Sequence, residues 1–286
     1  MLEDAARHDR RLRVFHMPEA DLVAALNFGL SQCRADLIAR MDADDRSRPE
    51  RLARQVARMD AQPAIDACGT CVAVFRATGP RAGYRAYERW INGLLSHEAM
   101  RRERFIESPI PHPSAMFRRT WITSMQGYRN CGWAEDYDLW LRGFSAGAVF
   151  AKCPEVLLDW RDHEGRLSRR HARYAQESFL RCKAHHLAIA LGKESRPIAL
   201  WGAGPIGKRL LRCLRAEGVT PAAVVDIDPK KIGRTRQGIP VVAPEALASG
   251  GWFVLTAAIR AGARGEIVAA LGGMGYAEEY DFLCCA

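Results

Sequence analysis

The run Leu37-Ile38-Ala39-Arg40-Met41-Asp42-Ala43-Asp44-Asp45 constrains this chain more than any other stretch, because an apolar segment of strand length runs straight into three carboxylates. Acids crowded at the mouth of a buried strand repel one another unless something positive binds them, and an all-oxygen cluster suits Mg2+ or Mn2+. The stretch reads as a metal and diphosphate site; taken alone, it also fits a solvated turn or cap. Ser47-Arg48-Pro49-Glu50 follows as a capping-box pattern with Pro in the first turn, which predicts a helix with Leu52, Val56 and Met59 on its apolar face. The acids are then expected on a strand-to-helix loop, where α/β proteins place their ligands.

Around that stretch the apolar pattern alternates between strand and helix periods. Arg11 to Phe15 reads as a short strand, and Leu22, Val23, Leu26 and Leu30 share one helix face, giving β-α-β up to Asp42. Ala64 to Phe75 reads as a further strand, and Tyr84 to Arg104 as a helix with Trp90, Leu94 and Leu95 on its apolar side. In Ser108-Pro109-Ile110-Pro111-His112-Pro113-Ser114 three prolines preclude a helix, so an extended loop is expected to run into a strand toward Arg119.

The second chemical stretch is Trp133-Ala134-Glu135-Asp136-Tyr137-Asp138-Leu139-Trp140-Leu141-Arg142. Glu135, Asp136 and Asp138 fall in the first turn of a helix expected to bury Tyr137, Trp140 or Leu141, and Phe144, where the macrodipole favours ionised acids. A carboxylate held there can accept a proton; acids at a helix start also serve simply to complement the dipole. Ala148 to Ala151 and Val156 to Trp160 read as two strands. Trp160 to Ser168 then leaves the core as a polar loop carrying His163, which fits a metal ligand, a phosphate contact or a solvated side chain.

Taken in this order, these stretches resemble the inverting family-2 glycosyltransferases of the GT-A fold. Leu22 to Leu52 resembles that family's helix, strand, DxD loop and following helix. Pro109 to Arg119 resembles its acceptor-side strand, Ala134 to Arg142 its ED motif, and Trp160 to Ser168 its closing Arg-x-His loop. The resemblance implies that Asp42 and Asp44 are the DxD pair, that Asp44 binds the metal bridging a sugar-nucleotide diphosphate, that Asp136 is the general base on the acceptor hydroxyl, and that His163 completes the metal shell. It also implies a nucleotide-sugar donor and a glycan or lipid-linked acceptor, with inversion through a single in-line displacement. The family's opening strand, Pro-x-Tyr-Asn-like turn, helix and acid-ended strand have no counterpart before Met1. The GT-A-like mixed sheet is therefore expected to be incomplete at its N-terminal side, with an open edge.

After a helical connector the pattern restarts. Pro197 to Trp201 reads as a strand, Gly202-Ala203-Gly204-Pro205-Ile206-Gly207 as a glycine loop, and Leu210, Leu211 and Leu214 as one helix face. A strand from Ala222 to Val225 ends in Asp226, nineteen residues after Gly207. That spacing is the Rossmann dinucleotide fingerprint, in which Gly202, Gly204 and Gly207 admit a pyrophosphate and Asp226 meets a ribose hydroxyl; the same glycines also serve tight strand-to-helix packing. Further strands are expected at Trp252 to Thr256 and near Tyr280 to Leu283. The continuation through Pro240 resembles small Rossmann-like domains attached to sugar-modifying enzymes. The expected α/β organisation is a GT-A-like domain over 1–170, a connector over 171–194, and a smaller Rossmann-like parallel-sheet domain over 195–286 with a candidate nucleotide site.

Composition narrows the setting. A chain of 286 residues, 48% hydrophobic, can hold two cores, and no run approaches the ~20 apolar residues a bilayer span needs. The first thirty residues lack signal-peptide character, so a cytoplasmic protein is expected. A net charge of +9 suits anionic small substrates or peripheral contact with an anionic membrane face, and no nucleic-acid motif accompanies it. Nine scattered cysteines point to reduced thiols, with Cys68 and Cys71 buried in an apolar strand. Two rival readings stand beside the transferase: a truncated, inactive transferase acting as a scaffold, and an NAD(P)-dependent oxidoreductase built on Gly202 to Gly207.

Overall fold

The computed structural model describes residues 2–76, 82–258, 260 and 262–286. Residues up to Arg34 form one unit and Ala35–Ala286 another. In the first, helix α1 (Leu2–His8) is followed by irregular chain and helix α2 (Leu22–Gln32). Asp21 caps α2, its carboxylate accepting the N–H groups of Val23 and Ala24 at 2.8 and 3.1 Å. The strand expected over Arg11 to Phe15 does not form. Its side chains instead grip α2: Phe15 meets Phe28 edge-on at 5.2 Å, and Arg13 donates to the Gln32 carbonyl at 2.9 Å.

The second unit opens with β1 (Leu37–Ala39), β2 (Arg46–Ser47), α3 (Arg51–Ala61) and β3 (Ile65–Phe75). Helices α4 (Ala82–Gly93) and α5 (His97–Glu103) replace the single helix expected from Tyr84 to Arg104. Ser96 ends the run by capping α5, its hydroxyl accepting the Ala99 N–H at 3.1 Å. Strand β4 (Met116–Arg118), helices α6 (Arg119–Ser124) and α7 (Glu135–Ser145), and strand β5 (Val149–Arg161) complete the first sheet, whose order is β1-β4-β3-β5-β2. Only β3 and β5 pair in parallel. The two strands expected near Ala148 and Val156 are one strand, which crosses Pro154 by shifting register against β3 between Thr70 and Val72.

Ser47 does not cap a helix. Residues 46–47 pair with Asp159 and Leu158 of β5, and α3 starts at Arg51 without a side-chain cap. Its buried face is Arg51, Gln55 and Met59, while Leu52 is exposed. Helix α7 is buried almost all round: Tyr137, Leu139, Trp140 and Leu141 are covered, and Trp140 lies parallel to Trp121 at 6.4 Å.

Helices α8 (Leu167–Arg170) and α9 (Gln176–Leu191) lead to the second sheet. Here β6 (Ile198–Trp201), α10 (Pro205–Ala216), β7 (Ala223–Val225), β8 (Thr235–Arg236), β9 (Ile239–Val242), β10 (Phe253–Thr256), α11 (Ala263–Gly273) and β11 (Phe282–Cys284) give the order β11-β10-β6-β7-β9-β8. All neighbours are parallel except β8 with β9. The chain order reverses beside β6, so the glycine loop emerges at a topological switch point. Among the described residues no helix is long and apolar enough to cross a membrane. Cys68 and Cys71 are buried, and Cys68 faces Cys153 with sulfurs 3.8 Å apart.

Candidate active site

Strand β1 ends three residues before Asp42, and the Arg40 N–H donates to the Ala115 carbonyl at 2.9 Å, setting the start of the acidic loop beside β4. Asp42, Asp44 and Asp45 each bring a carboxylate oxygen within 4.8 Å of the other two. One oxygen of Asp45 accepts the Arg161 N–H at 2.7 Å; the other is buried without a hydrogen-bond partner. Burial, and then the charges of Asp42 and Asp44, push Asp45 up to about 6 against the pull of that Arg161 N–H. Three converging carboxylates, one of them with an unpartnered buried oxygen, fit a hard divalent cation such as Mg2+ or Mn2+.

His163 reaches this cluster from the loop that follows β5, with Nε2 2.7 Å from Oδ2 of Asp44. Its loop is fastened by Asp162, only 3% exposed, which pairs with Arg169 at 2.5 Å and with Arg76 at 3.8 Å and whose N–H donates to the Phe75 carbonyl.

Asp136 stands in the first turn of α7, with the Ser108 hydroxyl 3.5 Å from its Oδ2. The dipole does not win here. Burial, then the neighbouring charge of Glu135, push Asp136 up to about 7, although the Tyr137 N–H and Arg40 oppose them. Glu135 points elsewhere, accepting the Tyr174 hydroxyl at 2.8 Å, with Arg173 at 3.5 Å and His112 Nδ1 at 3.9 Å. Asp138 faces the core: burial opposes its charge, but His186 at 3.1 Å and Arg142 at 2.7 Å hold it at about 2. One helix turn thus carries an acid poised to take a proton at neutral pH and another locked as an anion.

Several residues around this site escape a motif reading. His112 is buried, burial holds its ring neutral, and Nε2 lies 2.8 Å from the Tyr128 hydroxyl. Arg40, whose side chain is 10% exposed, has Nη1 2.5 Å from Oδ2 of Asp42 and is close enough to Asp136 for each charge to shift the other. Its signal was present as a guanidinium inside an otherwise apolar run. Arg51 donates to the Arg40 carbonyl at 2.7 Å, and Gln55 donates to the carbonyls of Cys68 at 2.6 Å and Ser114 at 2.9 Å. Buried Lys152 braces the proline-rich segment through the carbonyls of Ile91 and Pro109.

In the second sheet a cavity of 460 Å3 opens at the switch point, bordered by Gly202, Gly204, Asp226, Asp228 and Lys231. Gly204 has open space where a side chain would stand, whereas a Cβ on Gly207 would lie 1.7 Å from the Gly202 carbonyl oxygen. Gly207 therefore packs helix against loop rather than facing the cavity. The Asp226 carboxylate is already engaged by the N–H groups of Ala203 and Asp228, both at 2.9 Å, and by Lys231 at 3.1 Å. Burial opposes its charge, but these donors outweigh it and hold Asp226 below the ordinary range.

Residues 1–124 match the family model described as glycosyl transferase family 2, a span that includes the three-acid loop and His112 but not Asp136 or His163. The amylovoran biosynthesis glycosyltransferase AmsE of Erwinia amylovora is 34% identical over 47% of this chain and 48% of its own length. The O-antigen biosynthesis glycosyltransferase WbnJ of Escherichia coli is 30% identical over 53% and 54%. The UDP-Gal:alpha-D-GlcNAc-diphosphoundecaprenol beta-1,3-galactosyltransferase of Escherichia coli is 32% identical over 49% of each chain. The chain spans about half the length of these relatives. Among solved structures, a mannosyltransferase of Pyrobaculum calidifontis in complex with GDP-Man and Mn2+ is 17% identical, covering 95% of this chain and 66% of that one with a TM-score of 0.42.

Proposed function

We propose, on the match of residues 1–124 to the glycosyl transferase family 2 model, that the chain transfers a sugar from a nucleoside-diphosphate donor to a glycan or lipid-linked acceptor during surface-polysaccharide assembly. The relatives support that setting through their roles in amylovoran, O-antigen and diphosphoundecaprenol-linked synthesis. The observation that carries the reading is the meeting of Asp44 with His163, 119 residues apart in sequence, at a cluster of three carboxylates. Asp42, Asp44, Asp45 and His163 are the residues that would hold Mg2+ or Mn2+. A cation there supplies Lewis-acid stabilisation of the leaving diphosphate.

Asp136 is the proposed base. An acceptor hydroxyl becomes a competent nucleophile only as its proton leaves, and a carboxylate poised near pH 7 is matched to that transfer. Attack from the side opposite the leaving group inverts the anomeric centre. The second cavity is a candidate nucleotide site, with Gly204 offering backbone approach and Lys231 the nearby cation, while Gly202 and Gly207 keep the loop tight. The net charge of +9 favours peripheral contact with an anionic leaflet that displays the acceptor.

Calorimetry with UDP-, GDP- and dTDP-sugars, with and without Mn2+, tests the reading on the wild-type chain and on Asp44→Ala. Cation-dependent binding that disappears in Asp44→Ala is the expected result. A folded wild-type chain that binds none of these donors would overturn it.

A further inference from the structure

The inference rests on the transferase reading and concerns Arg40. Two of the buried guanidinium groups near this site are supplied with acceptors, while Arg173 keeps one orphan, its Nε, beside the contacts it makes to Glu135 and Asn130. Arg142 donates to the Asp138 carboxylate and to the carbonyls of Met125 and Gly127. Arg51 fills its donors with the Arg40 and Ala115 carbonyls, Gln55 and the Met41 sulfur. Arg40 is different. Its side chain is nine-tenths buried. Its Nη1 stands against Asp42 in a close ion pair, and Nε has no acceptor at all among the described residues.

A guanidinium that served only to neutralise Asp42 would be expected to aim its N–H groups at that carboxylate, as Arg142 does toward Asp138. Unfilled buried donors cost free energy and call for an acceptor from outside the chain. Arg40 leaves the end of β1 beside Asp42, and its N–H donates to the Ala115 carbonyl, next to the His112 segment that faces Glu135 in the first turn of α7, so it stands on the side of the acidic loop nearest that turn. In the proposed reaction that is where the bond between sugar and diphosphate breaks, and the group that gains negative charge there is the leaving diphosphate. We propose that Arg40 donates its unfilled N–H groups to the terminal phosphoryl oxygens of the departing nucleoside diphosphate, adding a fixed positive charge to whatever cation the acids hold. A planar fork of donors suits a phosphoryl group, and being pre-positioned it needs no reorganisation as charge develops.

The test measures affinity, with no turnover required. UDP, GDP and dTDP, and the corresponding monophosphates, are titrated into wild type, Arg40→Gln and Arg40→Lys, in EDTA and again with Mg2+. The EDTA arm removes effects passed through Asp42 to a cation. Thermal unfolding and circular dichroism confirm that the variants are folded, and Arg40→Lys keeps the charge should Arg40→Gln be unstable.

For the diphosphate that wild type binds, Arg40→Gln should weaken binding by about ten- to a hundredfold, the loss of one or two charge-assisted hydrogen bonds. Arg40→Lys should fall between the two. The matching monophosphate should lose far less. Equal diphosphate affinity in wild type and Arg40→Gln overturns the assignment while leaving the transferase reading intact. So does an equal loss for monophosphate and diphosphate, which would mark Arg40 as a shaper of the pocket. A wild type that binds no diphosphate in either arm overturns the transferase reading, and this assignment with it.

Discussion

Asp136 and Asp138 are two positions apart on α7 and have opposite physical chemistry. A residue turns about 100° around a helix axis, so positions i and i+2 face nearly opposite ways. Asp136, raised to about 7, keeps a proton that an unfolded carboxyl has lost by about pH 4. Native stability is therefore drained as pH rises from about 4 through 7, and the cost is complete above that. Asp136→Asn should abolish transfer and yet raise the melting midpoint at pH 8, with little change near pH 4. Asp138 has the reverse sign, its stabilisation being present above about pH 4 and lost as pH falls through about 2. Asp138→Asn should cost about 3–5 kcal/mol at neutral pH by stranding Arg142 and His186, as read by denaturant unfolding. If both variants move stability the same way, the division of roles on this helix is wrong. The sequence marked both acids at a helix start; which one faces the site follows from what packs around α7, and that is set by α9, forty-odd residues on.

At the scale of elements, apolar periodicity located β3, β6 and β10 to within a residue and picked out buried residues of α7 and α10, because each carries its own buried face. It failed where a long-range partner decides the structure. Ser47 looks like a cap until β5 offers it a strand, and Arg11 to Phe15 looks like a strand until α2 takes its side chains. Helix α3 is the sharpest case. Its inner face is Arg51 and Gln55 because Arg40 just past β1, Cys68 within β3 and Ser114 just before β4 present backbone carbonyls at that point, which an apolar face would leave unsatisfied. Gln55→Leu should therefore destabilise the fold by about 1–3 kcal/mol despite adding apolar surface to the interior, a loss measurable by urea titration. An unchanged or raised stability would mean that those carbonyls find other donors.

Across the whole unit from Ala35 to Ala286, α9 is the element on which both sheets depend. The sequence suggests a connector over 171–194 between separate domains. In the structure Leu180, Leu187 and Leu191 share one core with Tyr137 and Leu141 of α7 and with Leu200, Leu210 and Leu214 of the second sheet's layer. Polar contacts follow the same seam: Lys183 bridges the carbonyls of Ile106 and Cys285 at 2.8 and 3.1 Å, and Arg264 pairs with Glu103 at 2.7 Å. Leu187 is fully buried in that shared core, so Leu187→Ala should cost about 2–5 kcal/mol. If the core is one cooperative body, the slowest-exchanging amides of β3 and of β10 should lose the same protection in that variant, because both exchange only through global opening. If instead 195–286 is a separately folding domain, protection should fall in one sheet and persist in the other. Native-state hydrogen exchange on the full chain separates these outcomes. It also decides whether a ligand in the second cavity can stabilise the loops around Asp44 and Asp136, since binding energy reaches a distant site only through elements that open together.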